Sequence, residues 1–435
     1  MINLQSQPRY GLHGTLNIPG DKSISHRALI IGSLSRGTTH LEHFLQAEDC
    51  LSTLSALQAL GVPITHEKET VTIHGQGLTG LIAPKHTLNM GNSGTTTRLL
   101  TGVLAGQAFT TTLIGDSSLS QRPMERVRHP LNQMGAHINL TAGHLPMTIS
   151  GQNLRAITYQ MPVASAQVKS AIIFGALQAQ GPSTIVELLP TRDHTERLLQ
   201  IFGADIQTAQ DKRTITIQPQ PQLAAQDLII PGDMSSAAFF ITAASIVPNS
   251  HIKLTKINLN PTRTGLLSVL KRMGGNIYLT ALSQMAGEPV GDIEVETATL
   301  KPIQLTATDI PAIIDELPLV ALLAASANGI SKISGASELR VKETDRIACI
   351  TSELQKLGIN IKELPDGFLI DGRTAWSVRN QQLDSHKDHR IGMMLAIAAL
   401  KIAAPLKLNH ASAINISYPT FFQDLQELLT KETSS

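Results

Sequence analysis

"LNIPGDKSISHRALIIGSLSRG" (16–37) has a counterpart far along the same chain, "LIIPGDMSSAAFFITAASIV" (228–247). In both, an apolar strand ends in Pro-Gly-Asp, serines follow, and a run rich in Ala, Ile, Leu or Phe begins. Gly permits the tight turn, and Asp or Ser caps the exposed N–H groups of the new helix. Weaker relatives occur at 91–106 ("GNSGTTTRLLTGVLAG"), 162–181, 309–329 and 385–401. The chain therefore holds about six copies of a polar turn leading into an apolar helix, the mark of an internally repeated architecture.

These helices have little amphipathic contrast. "RLLTGVLAG" and "AIIFGALQA" are apolar nearly all round, with Ala and Gly allowing close approach, so they are expected to be buried. Alternating stretches lie between them, at 69–75, 137–143 and 214–220. Such strands can face water on one side. The economical fold is a repeated β/α unit with helices inside and sheets outside, three units in each of two domains. The Pro-Gly-Asp turns mark the crossings, which places one domain at 20–230 and a discontinuous one at 1–19 plus 231–435. "QPQPQLAA" (218–225) reads as the linker before the return crossing. Helix N-termini converging on the cleft between domains would favour anionic ligands.

With 435 residues the chain is too long for one ordinary core. Its net charge is +1 and only 16% of residues are charged. That excludes a nucleic-acid arm or a basic membrane-surface helix, so any anion must be held by a local cluster. Cys50 and Cys349 have no metal-ligand spacing and read as buried free thiols of a reducing compartment. The start, "MINLQSQPRYGLHG", lacks an apolar h-region, and runs such as "LVALLAASANG" are too short to span a bilayer. A soluble, cytoplasmic protein is expected.

Charge concentrates where helices begin. In "GDKSISHR" (20–27), Lys22 and Ser23 fall in a first helical turn and Arg27 lies four residues past Ser23, on the same face. The Gly and Thr residues of "GNSGTTTR" (91–98) let backbone N–H groups approach a small anion. In "SSLSQRPMERVR" (117–128), Pro123 suits a first turn and puts Arg122 at a helix entrance. "PVASAQVKS" (162–170) sets Ser165 and Gln167 at a helix start, and "LLPTRDHTERLLQ" (188–200) puts Arg192, Asp193 and His194 on a turn. The Asp-His pair finds no matching ligand set, so no metal is expected. Asp315 stands at the mouth of "LPLVALLAA", where it can cap or accept a proton. "KDHRIGM" (387–393) repeats the pattern with His389 and Arg390. "LRVKETDR" (339–346) holds Lys342 and Arg346 at i,i+4. Like charges so spaced repel unless an anion or carboxylate lies between them. Glu343 beside them is a proton-donor candidate.

Taken in order, "PGDKSISHRALI", "GNSGTTTR", "QRPMERV", "SAQVKSAI", "TRDHTERLLQ", "LRVKETDRI" and "DHRIGM" resemble the 5-enolpyruvylshikimate-3-phosphate synthase family, over most of the chain. "TRDHTE" resembles its second sequence class. The resemblance implies a two-domain inside-out α/β barrel of three βαβαββ units per domain. It implies transfer of the enolpyruvyl group of phosphoenolpyruvate to the 5-hydroxyl of shikimate 3-phosphate, by addition and elimination of phosphate. No metal or organic cofactor is implied, and a monomer without nucleic-acid or membrane partners is expected. By the same resemblance, Ser23, Arg27, Ser165, Ala166, Gln167, Arg192 and Lys342 line the shikimate 3-phosphate site, and Lys22 bridges both substrates. Arg122, Arg346, Arg390 and the Gly94 backbone clamp phosphoenolpyruvate. Asp315 takes the 5-hydroxyl proton and Glu343 protonates the methylene carbon, with His389 close by.

Two positions depart from the family pattern. Ala166 stands where many relatives have Ser, removing one hydroxyl contact, and Ile416 stands where some carry Lys. Gly94 is the small residue whose bulkier substitutes accompany glyphosate tolerance, so sensitivity is expected. The sister transferase acting on UDP-N-acetylglucosamine carries a reactive Cys where this chain has "GDSSLSQRP". An RNA-end cyclase lacks support from any motif. A non-catalytic anion-binding repeat would explain the helices but not Asp315 and Glu343.

Overall fold

The structure, a computed structural model, describes residues 1–430. It divides into two compact units, Gly20–Ile230 with Met285–Glu288, and Met1–Pro19 with Pro231–Gln284 and the chain from Pro289 onward. Each has its own apolar core.

In the 20–230 unit three four-stranded sheets share one plan. Thr110–Ile114 has Leu88–Asn89 parallel on one side and His144–Ser150 antiparallel on the other, with His137–Thr141 beyond. Thr158–Gln160, Ser183–Val186, Thr214–Ile217 and Ile206–Thr208 repeat that order. So do Arg36–Glu42, Thr70–Gln76 and Ile64–Glu67, but their parallel neighbour, Asp227–Ile229, comes from the far end of the unit's sequence. Parallel neighbours need a crossover, and a helix supplies it. Gly94–Leu104 and Ala166–Ala176 join the parallel pairs, and Lys22–Leu34 occupies the equivalent place in the first sheet. A second helix, Glu48–Ala59, Glu125–Gln133 or His194–Ile201, precedes each hairpin.

The other unit follows the same grammar. His13–Asn17 runs parallel to His251–Asn258, which pairs antiparallel with Glu288–Glu296. Gln304–Leu305, Ile330–Ile333, Gly367–Asp371 and Asn360–Leu364 form the second sheet. The third is three-stranded, Gln382–Asp384 parallel to Lys407–Asn409 and Ile2–Asn3 antiparallel to it. Its crossover helices are Met234–Ile246, Leu317–Ala325 and His389–Ala399.

Every residue of those three helices is buried. A helix enclosed on all sides gains nothing from a polar face, which is why its sequence has none. Small residues set how closely such helices approach. A Cβ at Gly102 would lie 2.1 Å from the carbonyl oxygen of Ala171, so helix 94–104 meets helix 166–176 backbone to backbone. The strands alternate instead, as in Thr110–Ile114 and Thr70–Gln76, with one face on the helices and the other outward. Helices inside and sheets outside make each unit an inside-out α/β barrel. Among the described residues no helix is long and apolar enough to cross a membrane.

Some local expectations need correction. The strands predicted at 69–75, 137–143 and 214–220 occupy 70–76, 137–141 and 214–217. The 218–225 stretch is not a loose linker. Leu223 is buried and Ala224 bridges to Arg36, because the strand that follows must arrive in register beside Arg36–Glu42. Cys50 is buried, but Cys349 is only half-buried.

Candidate active site

In the 20–230 unit, Asp21 caps helix 22–34 by accepting from the Ile24 N–H at 3.0 Å. That leaves Lys22 in the first turn, where its Nζ lies 3.0 Å from Asp49 Oδ2. Ser23 follows, and its carbonyl accepts from Arg27 Nη1 at 3.0 Å. Arg27 is buried and also donates to Thr195 Oγ1 at 2.6 Å and Ser170 Oγ at 2.9 Å. It therefore ties three helices together. Beneath this turn His26 is enclosed, bonded to Thr53 Oγ1 at 2.6 Å. Burial holds its pKa well below the usual imidazole range, and Lys22 and Arg27 push it the same way.

The Gly-rich turn forms a second cluster. Ser93 caps helix 94–104 by accepting from Thr96 N–H at 3.2 Å. Arg98 Nη1 donates to Gln167 Oε1 at 2.8 Å, and Gln167 Nε2 donates to Thr95 Oγ1 at 2.8 Å. Arg122 Nη2 donates to Asn92 Oδ1 at 2.8 Å. A Cβ built on Gly94 would lie 2.7 Å from Arg98 Nη1 and 3.0 Å from Arg122 Nη1. Gly94, Arg98, Arg122 and Gln167 are thus one cationic cradle at a helix N-terminus, the arrangement that suits a small anion. Arg122 is not at a helix entrance, as Pro123 had implied. It closes a short 3-10 turn, Leu119–Gln121, and the helix begins only at Glu125.

Ser165 caps helix 166–176, with Ala166 and Gln167 in its first turn. Lys169 behind them is buried, 3.0 Å from Glu187 Oε2 and 2.7 Å from Glu196 Oε1, and donates to the Thr191 carbonyl at 3.4 Å. This cluster braces the turn that presents the half-buried Arg192. Asp193, His194 and Glu288 bring donor atoms within 4.8 Å of one another. Arg197 supplies the positive charge there, with Nε 2.8 Å from Asp193 and 3.7 Å from Glu288.

In the other unit three helix starts converge. Asp345 caps helix 346–356 by accepting from Ala348 N–H at 3.1 Å, and Asp388 caps helix 389–399 through Arg390 N–H at 2.9 Å. Lys342 and Arg346 do not share a helical turn as their i,i+4 spacing had implied: Lys342 is extended after a 3-10 turn, and the helix begins only at Arg346. Asp315 nevertheless faces both. Its Oδ1 lies 3.7 Å from Lys342 Nζ and 3.7 Å from Arg346 Nη1. Arg390 Nη2 reaches the other oxygen of that carboxylate at 3.8 Å, and Arg390 Nη1 donates to the Asp315 carbonyl at 2.9 Å. Glu343 Oε2 is 2.5 Å from Arg346 Nη2. Arg346 is fully buried against Asp388, with Nε 2.7 Å from Oδ2 and Nη2 3.2 Å from Oδ1. Burial is the largest influence on the Asp388 carboxyl and pushes it up, but the charge and hydrogen bonding of Arg346, together with the charge of His389, turn the net shift downward. His389 lies buried in the same first turn.

The structure thus gathers Asp315, Lys342, Glu343, Arg346 and Arg390 into one network, and Gly94, Arg122 and Gln167 into another. Sequence reading passed over Arg98, although it ends the quoted "GNSGTTTR" four residues after Gly94. It also passed over Asp49, Glu316 and Asp388, whose acidic side chains gain meaning only from partners distant in sequence.

The family model of EPSP synthase (3-phosphoshikimate 1-carboxyvinyltransferase) matches residues 6–425. The chain is 66% identical over 425 residues to the 3-phosphoshikimate 1-carboxyvinyltransferase of Lactiplantibacillus plantarum, covering 98% of each chain. It is 46% identical over 422 residues to that of Bacillus subtilis, covering 97% of this chain and 98% of the relative. An EPSP synthase structure from Acinetobacter baumannii superposes with a TM-score of 0.85 at 40% identity, covering 98% of this chain and 97% of that one. The enolpyruvyl transferase NikO from Streptomyces tendae, at 17% identity and a TM-score of 0.78, shares the fold. Buried helices opening at polar turns, the ordered motifs and these full-length matches agree, and the chain belongs to the EPSP synthase family.

Proposed function

We propose that the chain transfers the enolpyruvyl group of phosphoenolpyruvate to the 5-hydroxyl of shikimate 3-phosphate, releasing phosphate. The observation that carries this reading is Asp315, a carboxylate ringed by Lys342, Arg346 and Arg390 with Glu343 on the same arginine. Anion binding alone needs the cations; a proton acceptor and a proton donor beside them fit addition chemistry. In the addition step Asp315 takes the 5-hydroxyl proton as that oxygen bonds C2 of phosphoenolpyruvate. Glu343 gives a proton to C3, forming a methyl group. Elimination returns a methyl proton to Glu343 and breaks the C2–O bond to phosphate, which leaves with the proton that Asp315 took from the hydroxyl. Arg346, Arg390, Arg122 and the Gly94 turn hold phosphoenolpyruvate, and Lys22 serves both substrates. Ser23, Arg27, Ser165, Gln167, Arg192 and Lys342 hold shikimate 3-phosphate, with Ala166 contributing shape but no hydroxyl. His389, close by in the same motif as Arg390, is a further candidate for proton transfer. Positioning two polyanions is itself worth about 7–11 kcal/mol of barrier.

The test is phosphate release in a coupled assay. Phosphate should appear only when both substrates are present, in step with the enolpyruvyl ether. Turnover of UDP-N-acetylglucosamine in place of shikimate 3-phosphate would overturn the reading.

Gly94 gives a sharper expectation. The added methyl of Gly94→Ala meets the ends of two flexible arginine side chains, so these shift and the fold stays intact. A displaced guanidinium weakens whatever the cradle grips. The wild-type chain should be inhibited by glyphosate, and the variant's inhibition constant should rise about tenfold or more. Its melting temperature should stay within a few degrees. Unchanged inhibition would remove Gly94 from the cradle.

A further inference from the structure

We propose that Glu316 is a positioning residue that fixes Arg390, and through it phosphoenolpyruvate affinity, at the end of a buried relay from Arg263 through Ser235. The proposal rests on the reading of Arg390 as a phosphoenolpyruvate contact.

Glu316 is only 1% exposed and stands at the N-cap position of helix 317–325, yet its side chain caps no backbone N–H there. A carboxylate buried at that cost needs a partner. One partner is the Ser235 hydroxyl, which donates to Glu316 Oε1. Ser235 Oγ in turn accepts from Arg263 Nη2 at 2.8 Å, and the same nitrogen donates to Asp233 Oδ1 at 2.9 Å. Arg263 and Asp233 are both buried and balance each other's charge. The relay therefore orients Glu316. Arg390 faces the carboxylate so oriented, with Nη1 3.8 Å from Glu316 Oε1.

Arg390 is thereby held by two consecutive residues. Its Nη1 faces the Asp315 carbonyl and the Glu316 carboxylate, and its Nη2 faces the Asp315 carboxylate. A guanidinium is a rigid planar fork, so fixing one nitrogen aims all of its donors. The Asp315 carboxylate could not supply a lasting countercharge to Arg390 and also serve as the proton acceptor, because its charge is lost when it takes the proton. Glu316 has no such duty and keeps Arg390 anchored through the step.

Glu316→Gln keeps an oxygen for the Ser235 hydroxyl and removes only the charge facing Arg390. Steady-state kinetics should show KM for phosphoenolpyruvate raised about tenfold, with kcat within about threefold and KM for shikimate 3-phosphate within about twofold. Ser235→Ala, which loosens the relay without touching the charge, should raise the same KM by a smaller factor. It carries the test if the first variant does not fold. Introducing Glu316→Gln into an Arg390→Lys background should add little, because the two act through one contact. Equal loss of affinity for both substrates, a fall in kcat with KM unchanged, or full additivity in the double variant overturns the proposal. If Arg390→Lys alone leaves KM for phosphoenolpyruvate unchanged, it is the underlying reading of Arg390 that fails.

Discussion

Asp315→Asn should lower kcat by about 10²–10⁴-fold, the range for loss of a general base, with both KM values nearly unchanged. The substitution is isosteric, and the backbone carbonyl that accepts from Arg390 is untouched. What disappears is the proton acceptor and one negative charge among Lys342, Arg346 and Arg390. Those cations then repel one another in the empty enzyme, but the incoming substrates are anions and restore the balance. Binding should therefore hold or tighten while turnover collapses. If Asp315 only neutralised the cluster, the pattern would invert, with affinity and stability disturbed and kcat nearly preserved. Near-normal kcat would remove the base assignment. Calorimetric titration of shikimate 3-phosphate gives the binding half of the comparison.

Arg346→Met should cost about 3–5 kcal/mol of stability at neutral pH, the scale for stripping one partner from a buried ion pair. Arg346 is 1% exposed and Asp388 is fully buried, so neither can turn to water. The variant leaves Asp388 without its principal countercharge and removes the Arg346 partner of Glu343, while Asp315 keeps Lys342 and Arg390. The pH dependence has a definite sign. In the wild type burial raises the Asp388 carboxyl most, but Arg346, with His389, more than offsets this and holds it below its ordinary 3.8. Its stabilisation is complete above the unfolded value and is lost as pH falls through the lower, folded one. Without Arg346, burial dominates and the carboxyl rises above its ordinary value. The variant then sheds its penalty by taking up a proton as pH falls toward that raised value. The stability gap between variant and wild type should narrow from pH 7 to pH 5. Chemical denaturation at the two pH values measures it, and a gap constant across that interval would contradict the account. Affinity for phosphoenolpyruvate should also fall.

The repeat was readable in the chain because it is local. The paired Pro-Gly-Asp turns, the all-apolar runs at 234–246 and 317–325, and the alternating segments at 70–76 and 110–114 each follow from a few neighbouring residues. Part of the site was readable for the same reason. The charges of Lys342, Glu343 and Arg346 stand within five residues of one another, and the Asp315 carboxylate faces both cations, although the helical turn assumed for the pair does not form. The misreadings were also local. Pro123 fits a first helical turn, yet the chain makes a 3-10 turn before it and delays the helix to Glu125.

By itself the sequence determined the helix starts, the burial of the helices between the sheets, and the charged turns, since caps, glycine turns and hydrophobic period act over one or two helical turns. Only the tertiary structure decided that Glu316 looks to Ser235 and Arg390, that Asp388 grips Arg346, and that Arg98 joins Gln167. Electrostatic attraction depends on separation in space, and only the finished packing sets which distant side chains lie a few ångströms apart.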